Sequence, residues 1–470
     1  MIPWAKAPER GSDRERSPQG AIDGNGTGPG SNLNRRREAT MSDRTDGPRA
    51  TPEATDRATG DARLHAAFGG RLWLRIGMIS GGLTVFLVVM WYMIIGTMQQ
   101  DNGVPALGVD FIVYWSAAKL ALAGNALEAF NLESLLAIHQ VEGATWLPWL
   151  YPPGYLILLM PLGALSFMAA YAVFNAVSSI AFLAATRPFA GRATGIWIGI
   201  ALAPTTLAAY MLGQTPLLWA SGLLAALAAL RNRREVLAGI FIGLLTLKPQ
   251  LGILIPVALV AAGSWRAILS ATATTLALVL IGTLAFGASY WTEMFAIGGE
   301  HFERMRADIG SRAQMISLYS GLTYLGLSEP VAFAGQMLAT LMAALGTFLA
   351  WRKDTLSFDL KAAMLFSAVL LSSPYMWHYE AALLAPTLLF LLRAGALRKT
   401  VPGLLVAAIL WLGVGPVMVI RILLLGQELP VRLFTTPIIV LAFAVTLTAV
   451  IKQLIALGSQ KGTNNVAPKN

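Results

Sequence analysis

The sequence contains no cysteine, which excludes disulfide bonds and thiolate metal sites. Charged residues are also scarce: they make up 13% of the 470 residues, against the ~25% that is usual for soluble domains. Hydrophobic residues make up 56% of the chain. This composition predicts an integral membrane protein, whose partner is the lipid bilayer. The net charge of +10 does not predict a nucleic-acid partner, because the basic residues lie mainly between hydrophobic segments, where they set topology.

Several motifs of known chemistry are missing as well. The chain has no Asp-x-Asp or Glu-x-Asp pair of the kind that holds a metal-bound nucleotide-sugar. It has no Gly-rich loop ending in Lys-Ser/Thr, which argues against ATP-driven transport. His, Asp and Glu do not cluster at zinc-ligand spacing, and no Gly-x-Ser-x-Gly elbow supplies a serine nucleophile. We therefore expect neither a cofactor nor a metal site.

The two ends of the chain differ from its hydrophobic middle, residues 71–455. Residues 1–70 mix Ser, Gly, Pro, Asp and Arg with few large apolar residues, which predicts a disordered cytoplasmic tail. This segment lacks the apolar core of a signal peptide. Met41 offers a second translation start, so we expect residues 1–40 to be dispensable. Residues 456–470 are predicted to form a short polar cytoplasmic tail.

The hydrophobic middle consists of runs of roughly 15 to 22 residues, the length of a bilayer-crossing helix. The predicted fold is therefore all-α, a polytopic membrane helix bundle with roughly 10–13 transmembrane or re-entrant helices. We predict helices at about 73–97, 168–186, 194–212, 215–230, 267–287, 330–350, 362–377, 380–393, 401–421 and 434–452.

The distribution of basic residues predicts the orientation of these helices. Arg71 precedes the first helix, which therefore exits on the outer, periplasm-like side. Residues 98–150 then form a first outer loop with two interfacial helices, at about 111–124 and 131–141. Residues 288–314 form a second outer loop.

Four apolar segments are too short for a comfortable crossing. The segment 151–166 is predicted to re-enter the membrane, because a full crossing would place the following arginines outside. The pieces 236–247 and 251–263 flank Lys248-Pro-Gln250, so this turn is expected within the membrane, lining a cavity. The segment 315–327 is expected at the interface.

Asp110 is the acidic residue for which a function is most strongly expected. It follows the first membrane helix, in Gly108-Val-Asp-Phe-Ile-Val-Tyr-Trp-Ser, and a charge near hydrocarbon is costly. One interpretation is a catalytic base. The other is a carboxylate that caps the helix beginning at Phe111. Capping could also position a base, so the two are compatible.

Five further polar residues each have a functional and a structural interpretation. Lys248 could bind a phosphate as a compact cation, or extend to an interface. Arg304, in a basic cluster with other arginines, could clamp a lipid-linked phosphate or meet lipid headgroups. His378 and Glu380 could act together or belong to an interfacial polar belt. Gln214 could bond a sugar hydroxyl or complete a tight turn.

Several short motifs, taken in order, resemble the GT-C glycosyltransferases, specifically glycosyltransferase family 87, the polyprenol-phosphate-mannose-dependent α-mannosyltransferase group. The resemblance covers about residues 70–450, and the family often has Asp where Glu380 stands. The matching pieces are Asp110-Phe-x-x-Tyr-Trp115, Tyr151-Pro-Pro153, Gly213-Gln214, Leu237-Ala-Gly239, Lys248-Pro-Gln-Leu-Gly252, Trp265-Arg266, Ser373-Pro-Tyr375 and Tyr379-Glu380.

The resemblance implies a GT-C bundle in which Asp110 is the catalytic aspartate. Residues of the same motifs would bind substrate; together with the cations above, the expected set is Tyr114, Tyr151, Gln214, Lys248, Gln250, Arg304, His378 and Glu380. The donor would be a sugar on polyprenyl phosphate, with mannose the family expectation, and the acceptor a glycolipid or glycan. The expected location is the bacterial inner (plasma) membrane, with the active site facing the periplasm.

The function expected from the sequence is thus an inverting hexosyltransferase. Asp110 would deprotonate the acceptor, while Lys248, with His378 or an outer-loop arginine, would neutralise the phosphate. A transporter or flippase of lipid-linked sugars is the main alternative, although no inverted repeat is visible. A polysaccharide polymerase or ligase is a second alternative, for which we would expect the large outer loop late in the chain.

Overall fold

The computed structural model describes residues 52–98, 108–139, 147–307, 313–423 and 431–464. Its regular elements over these ranges are helices, and the all-α prediction is confirmed. The α-helices are α1 (Pro52–Phe68), α2 (Arg71–Met98), α3 (Phe111–Leu122), α4 (Leu132–His139), α5 (Pro153–Gly163), α6 (Phe167–Ala190), α7 (Thr194–Ala201), α8 (Leu207–Leu212), α9 (Pro216–Arg231), α10 (Glu235–Leu245), α11 (Ile255–Ala261), α12 (Trp265–Phe286), α13 (Ser289–Ala307), α14 (Leu318–Tyr324), α15 (Glu329–Arg352), α16 (Phe358–Ser372), α17 (Leu384–Arg393), α18 (Val401–Leu412), α19 (Gly415–Leu423) and α20 (Val431–Asn464). Short 3₁₀ helices cover Ala126–Phe130, Pro204–Thr206, Pro249–Leu251 and His378–Leu383.

Six helical segments within the described residues are long and apolar enough to cross a membrane. They are Arg71–Met90, Phe167–Ala190, Thr194–Leu212, Trp265–Phe286, Glu329–Arg352 and Val431–Ser459. Large apolar side chains point outward from them, and Leu284 on α12, for example, is 77% exposed. An exposed apolar surface of this kind is expected where a protein faces lipid. The chain is therefore a multi-pass membrane protein.

Two predicted helices are interrupted by residues that cannot continue an α-helix. The prediction at 194–212 corresponds to α7 and α8, separated at Pro204, which lacks the N–H that an α-helix interior needs. The prediction at 401–421 corresponds to α18 and α19, and Gly413 between them has a positive φ of 48°. By contrast, α5 has 11 residues and is about 16 Å long, shorter than the ~30 Å hydrocarbon core of a bilayer. The prediction that this segment re-enters the membrane stays a prediction.

One sequence prediction about a surface segment is wrong. Residues 52–68, predicted to be disordered, form α1, which packs on α16 and α17. Most of the predicted second outer loop, 288–314, is helix α13, and residues 456–464 of the predicted polar tail extend α20. The side of the membrane on which these two segments lie stays a prediction. A start at Met41 falls outside the described residues, as does the chain beyond Asn464.

The helix predicted at about 111–124 corresponds to α3, which is mostly buried inside the protein, and its position at a membrane interface stays a prediction. Phe111, Val113 and Ala117 of α3 are buried, and the helix packs on α5. Apolar residues occur all round this helix, and such a helix is usually buried inside a protein. The second predicted helix, α4, carries exposed side chains such as Glu133.

Close helix packing fixes the position of the turn at Lys248. Gly239 and Gly243 lie one turn apart on α10 and face α12, where a Cβ on Gly243 would come within 2.5 Å of Thr274 Cβ. Small residues at this spacing let membrane helices approach closely. On its other side α10 packs on α9, so α9, α10 and α12 together hold Lys248 at the end of α10.

A buried ionic cluster attaches α1 to the rest of the protein. Arg393 is 0% exposed; its Nε lies 2.8 Å from Asp359 Oδ1, and its Nη1 lies 2.6 Å from Asp61 Oδ1. A Cβ on Gly60 would lie 2.6 Å from Asp359 Oδ2, so a larger residue there would displace the ion-paired side chains. The cost of burying the Arg393 charge is offset by these two carboxylates.

We expect Asp359→Ala to destabilise the protein by about 3–5 kcal/mol, because it leaves the Arg393 charge buried with only the partly exposed Asp61. The double variant Asp359→Leu/Arg393→Met should be much more stable than Asp359→Ala, since it buries no charge. Unfolding by dodecyl sulfate in mixed micelles measures both. The exposed Asp354→Ala is the control, and equal stability of Asp354→Ala and Asp359→Ala would contradict this role for the cluster.

Candidate active site

Asp110 lies at the position before α3, where a capping residue is expected, but its side chain makes no capping hydrogen bond. Its Oδ2 instead accepts a hydrogen bond of 2.8 Å from Gln214 Nε2. The Asp110 side chain remains partly accessible to solvent. Of the two interpretations from the sequence, the structure therefore does not support the cap.

Gln214 connects Asp110 to a pair of tyrosines. Its Oε1 accepts a hydrogen bond of 2.7 Å from the Tyr114 hydroxyl, which also lies 2.5 Å from the Tyr151 hydroxyl. Because Tyr114 has one hydroxyl hydrogen and gives it to Gln214, Tyr151 must be the donor in the tyrosine pair. The chain of donors runs from Tyr151 through Tyr114 and Gln214 to Asp110. Because Gln214 Oε1 accepts from Tyr114, the Nε2 end of the Gln214 amide is the one that faces the Asp110 carboxylate.

A glycine turn brings Gln214 to Asp110. Gly213 ends α8 with a positive φ of 68°. A Cβ at this position would lie 2.5 Å from Phe111 Cβ, so α3 could not approach the turn if another residue replaced the glycine. The Gly108 N–H also donates to Met211 O at 3.0 Å. The two segments are therefore joined by backbone as well as by side chains.

Aromatic rings surround the two tyrosines. Trp149 Nε1 donates to the Tyr290 hydroxyl at 2.6 Å, and that hydroxyl donates to Tyr151 O at 3.0 Å. The ring of Tyr114 meets those of Tyr151 and Tyr155 edge-on, with centroids 5.1 and 5.7 Å apart. Edge-to-face pairs of this kind add to the energy of burial and fix ring orientation.

Lys248 and Glu380 form a buried ion pair. Lys248 Nζ lies 2.9 Å from Glu380 Oε1, and the two side chains are 5% and 3% exposed. Glu380 Oε2 also accepts a hydrogen bond of 3.1 Å from the Trp377 N–H. Lys248 does not extend to an interface, and part of its charge is already balanced before any ligand binds.

The pKa of Asp110 is raised to about 6 by burial, and it is lowered less strongly by the Gln214 hydrogen bond and the charge of Lys248. The influence of Lys248 shows that the ion pair lies in the same electrostatic environment as Asp110. An accessible carboxylate with a pKa near neutrality is typical of a proton-transferring group.

The structure does not bring together every predicted residue. His378 is buried beside the site, and its ring lies 5.7 Å from that of Tyr379. Gln250 is exposed on the turn after Lys248. Arg304 is exposed on α13 and pairs with Glu300. Of the other two arginines of this cluster, Arg306 is exposed on the same helix with its Nε 3.5 Å from Glu303 Oε2, and Arg312 lies outside the described residues.

A cavity of about 710 Å³ begins at the site. Tyr151 and Lys248 line one end, and Asn232 and Arg234 line the other. Between these ends its walls are largely apolar side chains of α6, α9 and α10. This is a groove of the size and chemistry that suits an elongated apolar ligand with a charged end.

Three polar or aromatic residues of the cavity wall were not predicted from the sequence: Tyr155, Thr215 and Trp219. Thr215 follows Gln214 directly, and Trp219 lies four residues later, on the same face of α9. This spacing is visible in the sequence. However, it is equally typical of a helix that packs in a bundle, so it gave no separate signal.

Residues 149–374 match the model of glycosyltransferase family 87. The match indicates a glycosyltransferase, with a sugar donor and an acceptor as substrates. It includes Tyr151, Gln214 and Lys248, whereas Asp110 and Glu380 lie on either side of it. The side-chain contacts above connect both residues to the matched segment. No curated protein and no solved structure gave a significant match.

We expect the Asp110 carboxyl to titrate near pH 6, and Gln214→Leu to move the midpoint above 6, because the variant removes a hydrogen bond that favours the ionised form. Infrared difference spectroscopy of the carboxyl stretch across pH measures this, and Asp110→Asn identifies the band. An unchanged midpoint in Gln214→Leu would show that the Gln214 bond does not control the ionisation of Asp110.

Proposed function

We propose that the protein is an inverting glycosyltransferase that moves a hexose, with mannose as first choice, from a polyprenyl-phosphate donor to a lipid or glycan acceptor. The observation that carries this proposal is the position of Asp110. Its accessible carboxylate has a pKa of about 6 and lies beside an apolar cavity that has Lys248 at the near end. A sugar transferase with a membrane-bound donor needs both features.

The cavity supports a lipid-linked donor. It follows α9, whose 16 residues span about 24 Å at 1.5 Å per residue. Its apolar walls suit a polyprenyl chain, and Lys248 at one end suits the phosphate. A nucleotide-sugar would instead need a polar pocket and usually a metal. Among the described residues, no group of three His, Asp or Glu could hold one.

Asp110 is proposed as the general base. As the acceptor hydroxyl attacks the anomeric carbon, its proton passes to Asp110, and the electron pair of the broken bond passes to the phosphate. General-base help of this kind contributes about 10²–10⁴-fold. Gln214 holds the carboxylate through Oδ2, so Oδ1 is the oxygen that we assign to the acceptor.

The surroundings of Glu380 support inversion. A retaining enzyme needs a second carboxylate that acts as a nucleophile. Glu380 is the nearest candidate that the motifs offer, but its oxygens are engaged by Lys248 and by the Trp377 N–H. We assign Glu380 to positioning Lys248. A single displacement would then convert a β-linked donor into an α-linked product.

The proposed location is the bacterial inner membrane, with the site facing the periplasm. Arg71 and Arg231 lie near the ends of α2 and α9 that are remote from the site, which agrees with arginines remaining on the cytoplasmic side.

A flippase of lipid-linked sugars is the second candidate, because the cavity extends the length of α9, from Lys248 to Arg234. Transport needs the cavity and no base. The network that orients Asp110 therefore favours the transferase.

We expect Asp110→Asn to reduce transfer by about 10²–10⁴-fold through loss of the base, while the donor still binds. Transfer of radiolabelled mannose from polyprenyl-phosphate-mannose to membrane lipids measures the activity. Asp354→Asn, an exposed acid, is the control. Normal turnover by Asp110→Asn would remove this residue from the mechanism, and absence of transfer by the wild type with every sugar donor would favour the flippase.

The pH dependence of kcat/KM should report the ionisation of Asp110. The base works only when ionised, so kcat/KM should rise with pH and reach a plateau above about 6. Because Lys248 lowers the pKa of Asp110, Lys248→Met should move this rise to higher pH as well as reduce activity. Steady-state rates at several donor concentrations across pH measure both effects. A rise at the same pH in Lys248→Met would contradict the electrostatic link.

A further inference from the structure

Three uncharged polar groups buried in the cavity wall have no hydrogen-bond partner among the described residues, whereas Lys248 Nζ in the same wall makes the ion pair with Glu380. They are the Tyr155 hydroxyl, Thr215 Oγ1 and Trp219 Nε1, and their residues are 6%, 5% and 4% exposed. Buried polar groups in proteins are nearly always hydrogen-bonded. These three groups come from α5 and from the start of α9, and all of them line the same cavity. A polar ligand in this cavity would supply the missing partners.

The start of α9 points to an anion as that ligand. Thr215 precedes the helix but makes no capping hydrogen bond, and Pro216 is its first residue. The next first-turn N–H groups therefore receive no partner from the Thr215 side chain. A helix of 16 residues also carries a partial positive charge at this end, which favours an anion. Thr215 and Trp219 lie on the same face, so both can contact a group bound there.

The leaving phosphate of the proposed reaction needs such a site. Negative charge grows on the phosphate as the glycosidic bond breaks, and hydrogen-bond donors placed there stabilise the transition state. Lys248 alone is a weak source of compensation, because Glu380 already balances its charge. Thr215 is also adjacent to Gln214, which holds Asp110, so the start of α9 lies next to the reacting centre.

We propose that Thr215, Trp219 and the first turn of α9 bind the phosphate of the lipid-linked donor, with Tyr155 donating from α5 and Lys248 contributing its charge. This inference rests on the proposed function. Thr215 and Trp219 are thereby specificity-determining residues that distinguish a phosphate-bearing lipid from a neutral one of the same chain.

The test compares the binding of undecaprenyl phosphate and of undecaprenol to the full chain in lipid nanodiscs. Thr215→Val and Trp219→Phe remove one donor each and nearly keep the side-chain shape. Each should weaken undecaprenyl phosphate binding about tenfold, which is typical for the loss of a hydrogen bond to a charged group. Undecaprenol binding should stay unchanged, because only the headgroup contact is lost.

Ser221→Ala is the matched control. Ser221 also lines the cavity on α9, but its Oγ already donates to Leu217 O at 2.6 Å. Its removal should leave the binding of both lipids as in the wild type. Undecaprenol binding reports an intact cavity, so a variant that fails to fold is recognised because it loses both lipids. In that case Tyr155→Phe, which removes the third donor, tests the phosphate site instead.

Two outcomes separate the inference from the proposed function. If the wild type prefers undecaprenyl phosphate to undecaprenol, and Thr215→Val, Trp219→Phe and Tyr155→Phe keep that preference, the phosphate subsite is wrong while the donor class stands. If the wild type shows no preference for the phosphate, the donor class fails and the subsite with it. Selective loss of phosphate binding in the variants, with Ser221→Ala unaffected, supports the inference.

Discussion

The hydrogen bond from Gln214 to Asp110 is the contact on which the candidate site depends. It joins two parts of the chain that are 104 residues apart, and it holds Asp110 Oδ2, while the side chain makes no capping hydrogen bond to α3. The contact is possible because Gly213 lets the turn approach α3, and its direction is set by Tyr114 and Tyr151. The Gln214 amide therefore connects Asp110, whose ionised form it favours, with the start of α9 and with the end of the cavity that Lys248 lines.

A second constraint is the balance of charge in a region with little water. Two cations are buried in similar ways: Arg393 lies between carboxylates of α1 and α16, and Lys248 lies against Glu380. The pairing of Arg393 attaches α1 to the rest of the protein, so the carboxylates there fully balance the charge of the guanidinium. The second lies beside a cavity, where a pair that is balanced before the ligand arrives keeps the lysine ionised and in place. Further stabilisation of an anionic ligand must then come from neutral donors.

The sequence predicted the helical fold, and it singled out most of the residues that the structure brings together at the candidate site, because both leave local patterns. Apolar runs of membrane length identify α6, α12 and α15, and the rarity of charge in such runs singles out Asp110 and Lys248. Contacts between distant segments leave no such pattern. The sequence of α1 resembles a polar tail, because the contact that holds this helix is made with Arg393, more than 300 residues away. For the same reason, the partner of Lys248 could not be deduced, and the exposure of Gln250 was not foreseen.

The arrangement of base and cavity bears on the stereochemistry of the proposed reaction. In a single displacement, the attacking oxygen and the leaving phosphate lie on opposite faces of the anomeric carbon. Lys248 and Thr215 line the cavity, whereas Asp110 does not and is reached through Gln214. A donor with its chain in the cavity would place its phosphate near Lys248 and Thr215, and its sugar would extend past Gln214 for the acceptor to meet Asp110. In the proposed reaction the sugar would then lie between the phosphate and the base, as a single displacement requires.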